Sequence, residues 1–114
     1  VSATWQPVCP LDALVPDRGA AALVAGPDGD LAQVALFRLS SGDVHAVGHR
    51  DPFTGANVIA RGLVGSAGSV PVVISPLHKQ AFDLRSGTAL DDPEVSLDAW
   101  DVRVVDGHVQ VRAR

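Results

Sequence analysis

What this sequence lacks narrows its chemistry before any motif is read. There is one cysteine, Cys9. A lone thiol excludes a disulfide framework within the chain and a four-cysteine structural zinc site, and it fits a cytoplasmic protein. No apolar run approaches the roughly 18 residues of a membrane-spanning helix, so no membrane partner is expected. The start, Val1 to Trp5, has no basic stretch leading into an apolar one, so no secretory signal is expected there. Basic residues are few: nine Lys and Arg against thirteen Asp and Glu give a net charge of −4. They are scattered, and Arg112 and Arg114 read as a solvated terminus, so no nucleic acid is expected as a partner. Internal repeats and low-complexity tracts are absent as well.

What is present is an ordinary globular composition. Apolar residues make up 46% and charged residues 19% of 114 positions. That is enough for one domain, residues 1–114, with its own core and no staples. The Ala, Val, Asp, Arg and Gly bias is of the kind associated with GC-rich bacterial genomes.

The apolar segments are short and separated by turn chemistry. Thr4 to Val8 predicts an edge strand, and Pro10 to Val15 a single helical turn. Ala20 to Ala25 predicts a strand closed by the tight turn Gly26-Pro-Asp-Gly29. Gln33 to Leu39 and Val44 to Val47 predict a hairpin about Ser40-Ser-Gly-Asp43. Gly65 to Ser69 reads as a flexible loop or a wide turn, and Val70 to Ile74 as a buried strand. Lys79 to Leu84 alternates, with Gln80, Phe82 and Leu84 on one face. Trp100 to Val105 and His108 to Arg112 alternate about Asp106-Gly107, the strongest hairpin signal in the chain. Eight or nine short strands with glycine turns between them predict an all-β fold, an antiparallel sandwich or barrel.

Two stretches stand out, Asp51-Pro52-Phe53-Thr54-Gly55 and Ser75-Pro76-Leu77-His78-Lys79-Gln80. Each is a polar residue followed by proline, between predicted strands, and so reads as a rigid corner. His49, Asp51 and His78 have the residue types of a two-histidine, one-carboxylate iron site but none of its spacing. Both histidines are expected to be partly exposed loop residues. Ser75, His78 and Asp51 match a nucleophilic triad by type alone, without a Gly-x-Ser-x-Gly turn or an oxyanion arrangement. No catalytic residue is therefore expected, and Cys9 reads as a small buried side chain.

The order of strand, proline loop, Val/Ile strand, second proline loop and Phe82-Asp-Leu-Arg-Ser-Gly87 resembles the Rieske iron–sulfur domain. The resemblance covers roughly residues 32 to 111, closing on the Trp100–Val111 hairpin. It implies an antiparallel Rieske-like β-sandwich with a small loop-bearing subdomain at about 48–85. In that family the first loop carries Cys-x-His and the second Cys-x-x-His. Here the matching positions are Asp51 and Phe53, then Ser75 and His78. A [2Fe–2S] centre of this kind needs two thiolates and two imidazoles. With three of the four positions replaced, no cluster and no other cofactor is expected.

One group of Rieske-like proteins lacks these ligands: the small subunits of assimilatory NAD(P)H-dependent nitrite reductase. The stretches Asp51-Pro-Phe-Thr-Gly-Ala-Asn57-Val-Ile-Ala-Arg61-Gly62 and Ser75-Pro-Leu-His78-Lys79-Gln80-Ala-Phe82 resemble that group. The resemblance implies a cofactor-free subunit that supports reduction of nitrite to ammonium by a large subunit carrying flavin, siroheme and an iron–sulfur cluster. The alternative is an electron-transfer or stand-alone binding module serving another oxidoreductase. Asp51 and Ser75 are expected to tie the loops together where iron would, with Phe53 filling the vacated volume. Arg50, Arg61 and Lys79, beside the loops, are candidates for touching the partner, solvated charges being the plain alternative.

Overall fold

The computed structural model describes residues 4–26, 28–77 and 79–114. Pro27 of the expected Gly26–Gly29 turn and His78 of the second proline loop lie outside the described residues. The strands are β1 (Gln6–Pro10), β2 (Gly19–Ala25), β3 (Leu31–Arg38), β4 (Val44–Gly48) and β5 (Leu63–Ala67), then β6 (Val70–Ile74), β7 (Ala81–Asp83), β8 (Ala99–Val105) and β9 (His108–Ala113). Single 3-10 turns lie at Leu11–Ala13 and Ile59–Arg61. Every pairing between these strands is antiparallel. The fold is all-β, as the sequence predicts.

A six-stranded sheet runs in the order β1-β9-β8-β4-β3-β2, and a three-stranded sheet in the order β5-β6-β7. The larger sheet curls until its two edge strands approach. There the Gln6 side-chain amide donates to the Ala25 carbonyl at 2.7 Å and accepts the Ala25 N–H at 2.8 Å. One glutamine thus replaces a rung of backbone ladder across the seam. Inside the curl, Val34, Leu36, Ala46, Trp100, Val109 and Val111 form one core. On the other side of the same sheet, Ala35, Phe37 and Val47 pack with Ile59, Val73, Phe82 and Leu84 in a second core.

The continuous apolar run of β3 follows from this layering. Its residues Val34 to Phe37 are all at most 1% exposed. Alternate side chains enter different cores, so both faces must be apolar. β8 and β9, covered on one face only over most of their length, alternate instead.

The structure differs from the sequence reading at residues 65–69. Gly65 to Ala67 belong to β5, paired with β6 at Gly65↔Val72, Ser66↔Pro71 and Ala67↔Val70. Only Gly68 and Ser69 form the reversal, with Gly68 at φ +64°. β5 is an edge strand, largely exposed, so its sequence carries no apolar alternation; Val64 packs against the core, and backbone bonds to β6 hold the rest. The terminus differs too. Arg112 and Arg114 are not free in solvent but converge on Asp101, each at 3.0 Å.

Gly87 closes the turn after β7. It sits at φ +82°, and a Cβ there would stand 2.1 Å from the Leu97 carbonyl oxygen. Both the backbone angle and the space demand glycine. Its N–H donates to the Asp83 carbonyl and its carbonyl accepts from Leu97 N–H, which locks the turn onto the segment entering β8.

Candidate functional site

The two proline loops project from the ends of β4 and β6, the first returning through the Ile59–Arg61 turn. His49, at the end of β4, anchors the first. Its carbonyl accepts from Val58 and Ile59, and its N–H donates to Gln33. The ring Nδ1 accepts the Ala60 N–H at 3.1 Å, so the imidazole is neutral with its proton on Nε2. Burial pushes its pKa below the ordinary value, and the Arg61 guanidinium pushes it further down. The expected exposure of His49 is corrected: it is 7% exposed, because both its backbone and its ring serve the loop base.

The loops are built alike. The Asp51 N–H donates to the Ala56 carbonyl and the Asp51 carbonyl accepts from Gly55 N–H, while its Oδ1 accepts the Phe53 N–H at 2.8 Å. The Ser75 N–H donates to the Gln80 carbonyl and the Ser75 carbonyl accepts from Lys79 N–H, while its Oγ accepts the Leu77 N–H at 3.4 Å. The same offsets of two, four and five residues recur. The fifth residue of each loop is left-handed, Gly55 at φ +78° and Lys79 at φ +59°. Proline follows the anchor residue in both, where no N–H is needed.

The two anchors then bond to each other. Ser75 Oγ donates to Asp51 Oδ2 at 2.6 Å, and both residues are 0% exposed. A buried carboxylate demands donors. Here Oδ1 takes one from its own loop and Oδ2 takes one from the other, so the aspartate is the clasp between them. Phe53 departs from the expected plug. It is 40% exposed, with one side against Phe82 at 6.1 Å between ring centres. The Asp51–Ser75 bond already closes the gap, and the turn held by Asp51 Oδ1 aims residue 53 at the loop tip. Leu77, the matching residue of the second loop, is 50% exposed, and Pro52 and Pro76 are exposed beside them.

Charge is segregated around this end. Between residues 44 and 82 the cations are Arg50, Arg61 and Lys79, all exposed, and the one acid is the buried Asp51. In a chain of net charge −4 this stretch thus carries three exposed cations together with the exposed Phe53 and Leu77. Sequence reasoning named these cations but missed the exposed Leu77. The paired positions of the two loops were the signal that could have found it.

The donor set does not fit a [2Fe–2S] cluster. Asp51 and Ser75 are hard oxygen groups already spent on each other, Phe53 has no donor atom, and Cys9 lies on β1, at an edge of the larger sheet. Among the described residues no three His, Cys, Asp or Glu side chains are grouped to hold a metal ion. The same pairing removes any reading of Ser75 as a nucleophile, since its proton is held by a buried carboxylate rather than a base open to substrate.

The chain is similar to known proteins along nearly its whole length. The family model for the Rieske-like [2Fe-2S] domain matches residues 4–112. The NADH nitrite reductase small subunit of Salmonella typhimurium is 40% identical over 95% of this chain and 96% of its own length. A Mycobacterium tuberculosis crystal structure described as an NADH-dependent nitrite reductase small subunit superposes with a TM-score of 0.88, at 48% identity over 98% of this chain and 96% of that one. The nitrite reductase [NAD(P)H] large subunit of Klebsiella oxytoca matches at 42% identity over 96% of this chain, which spans only 11% of that protein's length.

Proposed function

This chain belongs to the Rieske-like [2Fe-2S] domain family, in its nitrite reductase small-subunit branch, and from that membership we propose that it is the cofactor-free small subunit of an assimilatory nitrite reductase. It binds the large subunit and supports reduction of nitrite to ammonium there. The flavin, siroheme and iron–sulfur cluster belong to the large subunit, and this chain contributes no catalytic residue. It works in the bacterial cytoplasm, in nitrate assimilation; one free thiol suits that compartment, and no helix is long and apolar enough to cross a membrane.

The observation that carries this reading is the Asp51–Ser75 hydrogen bond. It occupies the place of the cluster's thiolates in a chain that matches small subunits along nearly its whole length. An electron carrier needs a redox centre, and these loops offer none of the soft donors that would hold one. The Klebsiella oxytoca match supports the pairing, since there the equivalent of this domain is a segment of the protein named the large subunit.

The loop end is the docking surface. Phe53, Leu77 and the two prolines form its apolar tip, and Arg50, Arg61 and Lys79 surround it. An apolar centre with a charged rim is how protein interfaces are commonly arranged, and the rim sets an acidic surface on the partner. The single Rieske-like domain, with residues about 48–85 as its loop-bearing part, is the unit that docks.

The test is co-expression with the large subunit encoded in the same genome. The two chains are expected to co-purify, and the isolated small subunit is expected to be colourless and free of iron. Stoichiometric iron with visible absorption in the isolated chain, or failure to bind the large subunit, overturns the reading.

A further inference from the structure

A second charged surface lies away from the loops. The three-stranded sheet covers the outer face of β3 and β4, and no residue of β8 or β9 enters the core it forms. The outer face of β8 and β9 is left open, and a cavity of about 430 Å³ lies there, lined by both tryptophans, Trp5 and Trp100, and by three arginines. The strand register puts Asp101 opposite Arg112 and Arg103 opposite Gln110 on that face. The guanidinium carbons of Arg103 and Arg112 stand 4.3 and 4.4 Å from the centre of the Trp5 ring.

We propose that this cavity is a binding site for a phosphate-type dianion, held by Arg103, Arg112 and Arg114 around Trp5. Two guanidiniums on one indole bring like charges together. Stacking on the ring orients their planes, but it does not neutralise them. Asp101 is the one carboxylate in the lining, and both its oxygens are engaged, Oδ2 with Arg112 and Oδ1 with Arg114. Arg103 bonds only the neutral Gln110 oxygen, at 2.7 Å. His45, also in the lining, is kept neutral because burial pushes its pKa down. Among the lining side chains three cations face one anion, with Asp43, Asp83 and Arg85 acting on His45 from beside them, so the cavity is net positive in a chain that is negative overall. Each guanidinium has five N–H donors, and each keeps some of them unspent here. Fixed, planar, forked donors with uncompensated positive charge suit a phosphate, which carries about 1.5 to 2 negative charges at neutral pH. The group is either free phosphate or the phosphate end of a nucleotide.

The experiment is a titration of the full chain with sodium phosphate at constant ionic strength and neutral pH, read by tryptophan fluorescence, since the Trp5 indole lies against Arg103 and Arg112. A saturating change is expected, with a parallel rise in melting temperature. Arg103→Gln leaves the Asp101 pairs intact and is expected to weaken binding roughly tenfold, the scale of one charge-assisted hydrogen bond. Arg103→Lys, which keeps the charge, is expected to retain most of it. Pyrophosphate binding more tightly than phosphate assigns the site to a nucleotide; equal binding assigns it to free phosphate. A response no larger than that to sodium chloride or sodium acetate, or one unchanged in a folded Arg103→Gln variant, overturns the proposal.

Discussion

Asp51 and Ser75 are fully buried polar side chains, and each is satisfied by the other and by its own loop. Removing one partner strands the rest. Ser75→Ala leaves Asp51 Oδ2 without its donor in a site closed to water, and is expected to cost about 2 kcal/mol. Urea unfolding of the two proteins measures it; an equal midpoint would show that the clasp adds no stability. His49 makes a pH statement. Its folded pKa lies below the ordinary histidine value of about 6.5 because burial disfavours the imidazolium. Between that value and the lower folded one, the unfolded chain binds a proton that the folded chain does not. Stability is therefore full above about pH 6.5 and falls as pH drops through the window toward the folded pKa. His45, shifted the same way by its own burial, adds to the slope. The unfolding midpoint is expected to drop between pH 7.5 and pH 5 (values set about the ordinary histidine pKa). His49→Gln, which can still accept the Ala60 N–H, should flatten the drop; an unaltered slope excludes His49 as its source.

At the scale of elements, two contacts made by side chains do what strand pairing does elsewhere. Gln6 closes the seam between the edges of the six-stranded sheet through two hydrogen bonds to Ala25. Gln6→Ala is expected to cost about 1 kcal/mol, since both bonds are solvent-exposed. Hydrogen exchange gives the sharper reading. The Ala25 amide is expected to lose protection while the β3–β4 amides keep theirs; unchanged exchange at Ala25 excludes the bridge. The two proline loops are the other case. They share one hydrogen-bond plan, and the plan needs a left-handed residue at its fifth position. Gly55 supplies it without strain, whereas Lys79 holds φ +59° as a non-glycine residue. The plan is therefore backbone-driven and does not depend on which side chain stands there.

At the scale of the whole molecule, exposed cations gather in two places, the loop end and the outer face of β8 and β9. The loop end carries Arg50, Arg61 and Lys79 about Phe53 and Leu77, while twelve of the thirteen acids lie outside residues 44–82. If the large subunit docks there, the triple reversal Arg50→Glu, Arg61→Glu and Lys79→Glu is expected to abolish co-purification while leaving the melting temperature within a few degrees, since the changed side chains are exposed. Undiminished co-purification places the interface elsewhere. The same contact should weaken as salt rises, because a rim of exposed charges is screened. Much of this was legible beforehand. Asp106-Gly107 between alternating strands marked the last hairpin, and Ser40 to Asp43 marked the turn between β3 and β4. β5 was not legible as a strand, because an exposed edge held by backbone bonds leaves no apolar period. The burial of His49 was not legible either, since it depends on amides ten and eleven residues further along the chain.

The sequence by itself determined the all-β order of strands and turns. It also determined the loss of the cluster's donors, because both depend on residue type at each position: β-branched alternation, glycine and proline punctuation, and oxygen where sulfur would be. The tertiary structure alone decided that Asp51 and Ser75 meet, that Phe53 lies at the tip rather than inside, and that Arg103, Arg112 and Arg114 gather around Trp5 and Asp101. Each of these joins groups remote in sequence, whose approach is set by strand register and sheet curvature rather than by any local preference.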